Sequence, residues 1–238
     1  MVLYGRNGRI GLILPHEDYT TEYEFNKLAP PDVAFYATRI KLKSVTKEGL
    51  LKMSEEVEIA VERLPPKINL IVYHCTSGTF IMGPEWEKSL LNKIKEKTGL
   101  LAISTMESVV KALSSLKLNK ISLVTPYTKD LNEKEIDYLA KFDVEVVNDV
   151  ALSITSVENM CALEQDEIHK WVKHVDSPKA NGVFISCTGL KTIGLLDKLE
   201  GELDKPVVSS NSATLWRSFK LCGVQSANVG GYGGLFRL

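Results

Sequence analysis

The feature that most constrains the fold of this chain is an internal repeat, in which segments of the first half recur about 111 positions later. Three pairs of segments keep this offset to within one residue: 8–16 with 119–127, Asp32-Val33 with Asp143-Val144, and 71–76 with 183–188. One short apolar match arises easily by chance, but a shared register over three segments in the same order favours a duplicated half. The alternative is two unrelated α/β halves of similar rhythm.

Short apolar runs alternate with helical patterns along the whole chain. Runs typical of strands cover 9–14, 33–38, 68–73, 100–103, 121–125, 144–147, 183–186 and 207–209. Helical patterns cover 48–64, 86–97, 106–116, 133–141, 158–174, 193–200 and 214–222. Because strands alternate with helices and the strands are apolar throughout, we expect mainly parallel sheets that are covered on both faces.

The predicted fold class is therefore α/β, with two pseudo-symmetric halves, each a mainly parallel sheet flanked by helices. Residues 1–116 are expected to form the first half, completed by the C-terminal segment 212–238, and residues 117–211 to form the second. Ligands of open α/β sheets bind beyond the carboxyl ends of the strands, and equivalent loops of two related halves can face each other. We expect the active site at the interface between the halves.

The composition excludes several classes of protein. Lys+Arg 29 balance Asp+Glu 30, whereas a nucleic-acid-binding protein usually carries a basic surplus. The longest apolar stretches have about six residues, and a membrane-spanning helix needs roughly 20. Met1–Arg9 lacks the apolar core of a signal peptide, and 4 scattered cysteines do not make a disulfide scaffold. We expect a soluble, cytoplasmic protein with no nucleic-acid or membrane partner, able to form a homo-oligomer.

Two cysteines carry the strongest chemical signal, because each directly follows an apolar strand at equivalent positions of the repeat. The motifs are Cys75-Thr76-Ser77-Gly78 and Cys187-Thr188-Gly189. Small residues expose backbone N–H groups that can hold a carboxylate, and such groups are expected to lower a thiol pKa. A thiolate can abstract a proton or add to an electron-poor carbon. A single buried cysteine more often packs as a small apolar residue, which is what we predict for Cys161 and Cys222.

Three further residues stand near these motifs. Tyr127 ends the strand equivalent to that of Pro15, and its hydroxyl can donate to a ligand carboxylate; the alternative is a half-buried rim aromatic. Asp18, in a polar loop, can bind an amine or tune a thiol, or simply cap a helix. His74 beside Cys75 suggests a metal, but three or four ligands must converge and adjacent strand residues point to opposite faces. We predict no metal site, and no dinucleotide fingerprint is present.

The motifs resemble those of the aspartate/glutamate racemase superfamily, closest to its branch of maleate cis–trans isomerase and arylmalonate decarboxylase. The resemblance rests on the two Cys-Thr motifs, on Pro126-Tyr127, and on the stretch 183–211 that ends in Ser209-Ser210-Asn211. It implies two α/β halves with a cofactor-free site between them and a small carboxylic acid as substrate. It further implies that Cys75 is the nucleophile and Cys187 the opposing acid/base. The carboxylate-binding residues implied by the resemblance are Thr76, Ser77, Tyr127, Thr188 and Gly189.

Two departures from the family pattern bear on the substrate. Maleate isomerases usually show Pro-Ser-Ser-Asn in the first loop, where this chain has Pro15-His16-Glu17-Asp18. A second carboxylate-binding Asn is replaced near Ser156-Val157. The leading prediction is a cofactor-independent isomerase of the maleate isomerase type. The alternatives are a two-thiol racemase, an enzyme similar to arylmalonate decarboxylase, and a non-catalytic organic-acid binder. The decarboxylases typically lack the first cysteine, which this chain keeps.

Overall fold

The computed structural model describes residues 3–225 and 230–238 of the chain. Its strands are β1 (Gly8–Pro15), β2 (Val33–Ile40), β3 (Leu70–Tyr73), β4 (Leu101–Ser104), β5 (Lys120–Thr125), β6 (Glu145–Ala151), β7 (Gly182–Ile185) and β8 (Val207–Ser209). They form two parallel sheets of four strands, in the orders β2-β1-β3-β4 and β6-β5-β7-β8. The second order is the first shifted by four strands, which confirms the predicted α/β fold with two related halves.

Helices connect and cover the strands. They are α1 (Thr21–Leu28), α2 (Lys47–Ser54), α3 (Val57–Glu62), α4 (Thr76–Phe80), α5 (Pro84–Thr98), α6 (Thr105–Ser115), α7 (Lys129–Ala140), α8 (Val157–Ala162), α9 (Gln165–Val175), α10 (Leu195–Leu203) and α11 (Ser210–Cys222). A short 3₁₀ helix, Gly234–Arg237, lies near the C-terminus. Among the residues described, no helix is long and apolar enough to cross a membrane.

Local backbone geometry repeats between the halves as well. Asp32 and Asp143 stand before β2 and β6, and both adopt the left-handed conformation, with φ of 63° and 60°. Aspartate tolerates this region better than most residues because its short side chain bonds locally. Asn69 and Asn181 precede β3 and β7, and each side-chain oxygen accepts from a strand-start N–H of β1 or β5, at 2.9 and 3.1 Å. Shared strain at matched positions supports duplication more specifically than apolar content does.

Two equivalent helices join the halves. The helices α6 and α11 follow the last strand of each sheet and pack against each other. Their N-caps, Ser104 and Ser209, accept from the N–H groups of Glu107 and Ser212 at 3.0 Å. Helix α11 also contacts β1 and β3 of the first sheet and β8 of the second. Of the segment 212–238 that is predicted to complete the first half, residues 226–229 lie outside the described residues.

Some predicted helices differ from those observed. The segment 48–64, predicted as one helix, forms two helices, α2 and α3. The backbone between them stays in the right-handed helical region, so the apolar face continues across the break. The prediction 158–174 is also two helices, because Leu163 and Glu164 are extended and Glu164 caps α9. Helices α1 and α4 are absent from the prediction. Helix α4 is built from small and hydroxyl residues that give no apolar periodicity.

The repeat places a buried glutamate at the same position of each half, Glu24 on α1 and Glu135 on α7. Their environments differ. Glu24 accepts from the N–H groups of Thr192 and Ile193 at 2.6 and 2.8 Å and from the Asn211 amide at 2.9 Å. Carboxylate oxygens with several donors are stable when buried.

Glu135 has fewer partners. Its Oε1 accepts from the Ser186 hydroxyl at 2.6 Å, whereas Oε2 has no hydrogen-bond partner within the described part of the chain. Burial raises the pKa of Glu135 from 4.5 to about 8, although the bond from Ser186 acts in the opposite direction. The folded protein therefore keeps a proton on Glu135 at pH 7 that the unfolded chain releases.

The Glu135→Gln variant is expected to be more stable than the parent at alkaline pH. As pH rises from about 5 to about 8, the unfolded carboxyl ionises while the folded one stays neutral, so the parent loses up to about 1.4 kcal/mol of unfolding free energy per pH unit from this group. Glutamine removes that titration and still accepts from Ser186. Urea unfolding at pH 5, 6.5 and 8 measures the gap in unfolding free energy between the variant and the parent, which is expected to widen as pH rises. Glu133→Gln, exposed on the same helix, is the control; a gap independent of pH would contradict the prediction.

Candidate active site

The carboxyl ends of the central strands of both sheets converge on one cavity between the halves. Strands β1 and β3 deliver its first side, and β5 and β7 its second. The residues that line it are Pro15, Asp18, Leu42, Val45, Cys75, Thr76, Ser77, Tyr127, Val157, Met160, Cys187, Thr188 and Gly189. All the site residues predicted from the sequence are therefore brought together. The cavity of about 20 Å³ holds about one water molecule, so a substrate must displace its walls.

Cys75 lies at the end of β3 and caps helix α4. Its Sγ accepts from the N–H of Gly78 at 3.4 Å and lies 3.9 Å from the Ser77 hydroxyl. Burial nevertheless raises the pKa of Cys75 to about 11, and the contacts with Gly78 and Ser77 lower it only partly. The backbone N–H of Gly78 acts in the expected direction, but the expected net lowering of this pKa is wrong for the closed site because loss of solvent outweighs it.

Cys187 occupies the equivalent place after β7, but in a strained turn rather than a helix cap. Its φ is 114°, a region that residues with a Cβ rarely adopt. The surrounding structure must supply the ~1–3 kcal/mol that such a conformation costs, and such strain is concentrated at functional sites. Its Sγ accepts from the N–H of Gly189 at 3.4 Å. Burial raises the pKa of Cys187 as well, which favours the protonated thiol.

Backbone N–H groups beside both cysteines can hold a carboxylate. Thr76 and Ser77 form the first turn of α4, where a helix leaves N–H groups without an internal acceptor. In the second half, Thr188 and Gly189 follow Cys187 into the cavity wall. The Thr76 hydroxyl itself donates to Ser210 Oγ at 2.9 Å, so its own bond is directed away from a ligand. The backbone is therefore the stronger candidate for anion binding here.

Asp18 lines the cavity, but its carboxylate is used by its own loop. Oδ1 accepts from the N–H groups of Thr20 and Thr21 at 2.9 and 2.8 Å, and Oδ2 accepts from the Thr21 hydroxyl at 2.7 Å. These bonds hold the start of α1, the capping role that the sequence leaves open. Burial raises the pKa of Asp18, and its proximity raises the pKa of both Cys75 and Cys187.

Tyr127 is fully buried and packs edge-on against Phe80, with ring centroids 5.6 Å apart. Phe80 ends helix α4 of the first half, so this pair links the two sides of the cavity. The Tyr127 hydroxyl lies beside Cys187 and lowers the pKa of that thiol, opposing part of the burial effect. Tyr127 is an interior residue, not the half-buried rim aromatic that was the alternative.

Both ring nitrogens of His74 have side-chain partners within the protein. Its Nε2 lies 3.1 Å from Asn211 Oδ1 and its Nδ1 lies 3.1 Å from the Thr105 hydroxyl. Burial lowers the pKa of His74 to about 3, so the ring is neutral. Within residues 3–225 and 230–238, no three metal-ligating side chains cluster.

The structure adds an apolar wall that sequence reasoning missed. Leu42, Val45, Val157 and Met160 line the cavity together with the cysteine loops, and Met160 Sδ lies 3.9 Å from Cys187 Sγ. Val157 and Met160 lie three residues apart on α8, a spacing that puts both on one helix face and that gave a weak signal. Leu42 and Val45 stand in the loop after β2 and carried no periodic signal at all. The lining of the cavity therefore combines polar groups with four apolar side chains.

Comparisons with known proteins agree with this geometry. The chain is 30% identical to the arylmalonate decarboxylase of Bordetella bronchiseptica over 230 residues, 95% of each protein. It is 27% identical to the maleate isomerase of Geobacillus stearothermophilus, over 89% of this chain and 90% of that protein. These relatives are enzymes.

Solved structures share the fold. A cysteine-to-serine mutant of Nocardia farcinica maleate cis–trans isomerase with a covalently bound succinylcysteine intermediate superposes with a TM-score of 0.92 at 24% identity, over 97% of this chain and 98% of that one. A liganded double mutant of arylmalonate decarboxylase superposes with a TM-score of 0.89 at 29% identity, over 96% and 98%. The family model of arylmalonate decarboxylase matches residues 10–236. Because this match covers nearly the whole chain, and the Bordetella bronchiseptica enzyme is 30% identical over 95% of it, the chain belongs to the arylmalonate decarboxylase family.

Proposed function

We propose that this protein is a cofactor-independent isomerase that acts on a small carboxylic acid held between Cys75 and Cys187. The observation that carries the proposal is the pair of thiols, which reach one buried cavity from equivalent strands of the two halves. Thr76, Ser77, Thr188 and Gly189, whose backbone N–H groups are the candidate carboxylate donors, line the same cavity. Relatives that are maleate isomerases support the class of reaction.

In the leading mechanism, the isomerisation is cis–trans and proceeds by covalent addition. The Cys75 thiolate adds to the double-bond carbon β to the bound carboxylate, and the π electrons move onto the carboxylate oxygens. The former double bond then rotates as a single bond, the electrons return, and the C–S bond breaks. Backbone N–H groups of Thr76 and Ser77 stabilise the added charge. The succinylcysteine in the Nocardia farcinica structure supports an addition of this kind.

The apolar wall favours a second candidate, a two-thiol racemase of a 2-substituted acid. Leu42, Val45, Val157 and Met160 offer no donor to a second carboxylate, and Asp18 would repel one. An apolar substituent fits that wall and leaves one carboxylate for the backbone donors. In this reaction one thiolate removes the α-proton and the opposite thiol delivers a proton to the other face.

Two measurements separate the candidates. Intact-protein mass spectrometry of enzyme quenched during turnover of maleate or a substituted cis-enoic acid shows a covalent adduct on Cys75 if addition occurs. Incubation of 2-arylpropionates in D₂O shows deuterium at the α-position, without an adduct, if racemisation occurs. Ligand binding with neither result, in a panel that also includes arylmalonates, would support the organic-acid binder and overturn the proposed function.

Cysteine variants are expected to differ in their effects if Cys75 is the nucleophile. Cys75→Ala and Cys75→Ser should lower kcat/KM by at least about 10³, because an alkyl group or an un-ionised hydroxyl cannot replace the thiolate. Cys187→Ser should keep more activity, since a hydroxyl still relays a proton. Cys222→Ser, outside the cavity, is the control. If Cys75→Ser stays within tenfold of the parent, the thiol mechanism is wrong; equal loss in both serine variants indicates the racemase.

Alkylation of Cys75 by iodoacetamide is expected to accelerate about tenfold per pH unit from pH 7 to 9. The reason is that burial raises the pKa of Cys75 to about 11, so the reactive thiolate fraction rises with pH throughout this range. Peptide mass spectrometry at timed intervals gives the rate, with Cys75→Ser identifying the labelled peptide. A plateau below pH 9 would show that the thiol ionises more readily than its buried environment predicts.

The Val157→Asn variant is expected to shift preference toward dicarboxylic acids. An amide placed in the apolar wall can donate to a second carboxylate, and a hydrogen bond to a charged group contributes about 1.5–3 kcal/mol, or roughly 10–100-fold in binding. Turnover or binding of maleate relative to a monocarboxylic acid measures the change. Val157→Ala enlarges the cavity without a donor and serves as the control; an equal shift in both variants would assign the effect to space alone.

A further inference from the structure

Two adjacent residues at the start of α11, Ser210 and Asn211, contact both cysteine loops at once. Both side chains are buried and come directly after β8. Neither lines the cavity, so they do not belong to the carboxylate-binding set. Each nevertheless makes one hydrogen bond to the loop of Cys75 and one to the loop of Cys187.

The hydroxyl of Ser210 is the first bridge. Its Oγ accepts from the Thr76 hydroxyl at 2.9 Å and from the backbone N–H of Cys187 at 3.1 Å. One oxygen atom therefore joins the residue after Cys75 to Cys187 itself. The N–H that it holds belongs to the residue whose backbone is strained, with φ of 114°.

The amide of Asn211 is the second bridge. Its Nδ2 donates to the carbonyl of Thr188 at 3.1 Å and to Glu24 at 2.9 Å, and its Oδ1 lies 3.1 Å from His74 Nε2. Because the carbonyl of Thr188 only accepts, the amide nitrogen must face it. Oδ1 therefore accepts from His74 Nε2–H, and His74 Nδ1 accepts from Thr105.

The ends of this network are fixed as well. Glu24 is anchored by the N–H groups of Thr192 and Ile193, and Thr105 begins helix α6. Hydrogen bonds thus connect the first half through α11 to the second half, and both polar atoms of the Asn211 amide have partners. Fully satisfied buried networks of this kind are rigid.

We propose that Ser210 and Asn211 are positioning residues, a clasp that sets the separation of the Cys75 and Cys187 thiols. The clasp rests on the proposed function in that both thiols act on one substrate. A reaction that needs two groups on opposite sides of a small molecule is sensitive to their spacing, and a displacement of about 1 Å can cost about 100-fold. A reaction of one thiol alone lacks this dependence.

The test compares reagents that engage one thiol or two. Iodoacetamide reports single alkylation of Cys75, and 1,3-dibromoacetone reports intramolecular cross-linking of Cys75 to Cys187, both read by peptide mass spectrometry. In Ser210→Ala and Asn211→Ala, the ratio of the cross-linking rate to the single-alkylation rate is expected to fall at least tenfold. Turnover, where present, should lose kcat by about 10–100-fold with little change in KM.

Ser212→Ala is the matched control. Ser212 is buried in the same turn of α11, but among residues 3–225 and 230–238 its hydroxyl bonds only to Ser209 in the capping box. It should lose stability without changing the cross-linking ratio. Ser210→Ala removes one hydroxyl and leaves little space, so it keeps the test valid if Asn211→Ala does not fold, as judged by circular dichroism.

Two outcomes would overturn the clasp. The first is an unchanged cross-linking ratio in a folded Ser210→Ala variant, even if activity falls. The second is an equal decrease in Ser212→Ala, which would indicate general loosening of the helix start. Because the cross-linking measurement needs no substrate, a failure of the proposed isomerase activity leaves the clasp to be judged on its own.

Discussion

Parallel strands deliver their carboxyl ends to one edge of a sheet, and here the edges of two related sheets face each other. Every chemical feature of the protein depends on that constraint. The central strands β1, β3, β5 and β7 each pair with a neighbour on both edges, and Cys75, Tyr127 and Cys187, which follow three of them, are buried. The two cysteine motifs follow β3 and β7, so duplication of one half brings two thiols to a single cavity. A single half would place one thiol at an open edge.

Burial of that cavity has an energetic consequence for the chemistry. It raises the pKa of both thiols, because few solvent molecules remain to stabilise a thiolate. The contacts with the N–H groups of Gly78 and Gly189 offset this only in part. The closed site therefore favours the protonated form of both thiols, and a molecule that enters the cavity must change the environment of Cys75 to favour the thiolate. The small cavity volume requires the same rearrangement.

The two halves have diverged where their polar groups meet. Glu24 and Glu135 occupy matched positions, yet Glu24 is bonded on both oxygens, whereas one oxygen of Glu135 has no partner among the residues that the structure describes. The same divergence separates His74 from Ser186, which precede the two cysteines. In the first half, hydrogen bonds connect His74 through Asn211 to Thr188 of the second half. The two halves share a fold, but this hydrogen-bond network is not symmetric. Two cysteines in equivalent places can then differ in role.

The sequence by itself determined the arrangement in two α/β halves and singled out Cys75 and Cys187 as the candidate residues of the site. A constant offset over three segments predicted two α/β halves, and strand-end cysteines at matched positions predicted a common site. The reason is that strands alternating with helices form parallel sheets, whose ligands bind beyond the carboxyl ends of the strands. Carboxylate-binding roles for Thr76, Ser77, Tyr127, Thr188 and Gly189 came from the family resemblance and stay predictions. Only the tertiary structure decided the apolar wall, the engagement of Asp18 with its own loop, and the contacts of Ser210 and Asn211. The apolar wall and the contacts of Ser210 and Asn211 depend on segments far apart in the chain, whereas the bonds of Asp18 to Thr20 and Thr21 are local and were one of several roles that the sequence left open. The thiol pKa values are set by burial that no local pattern encodes.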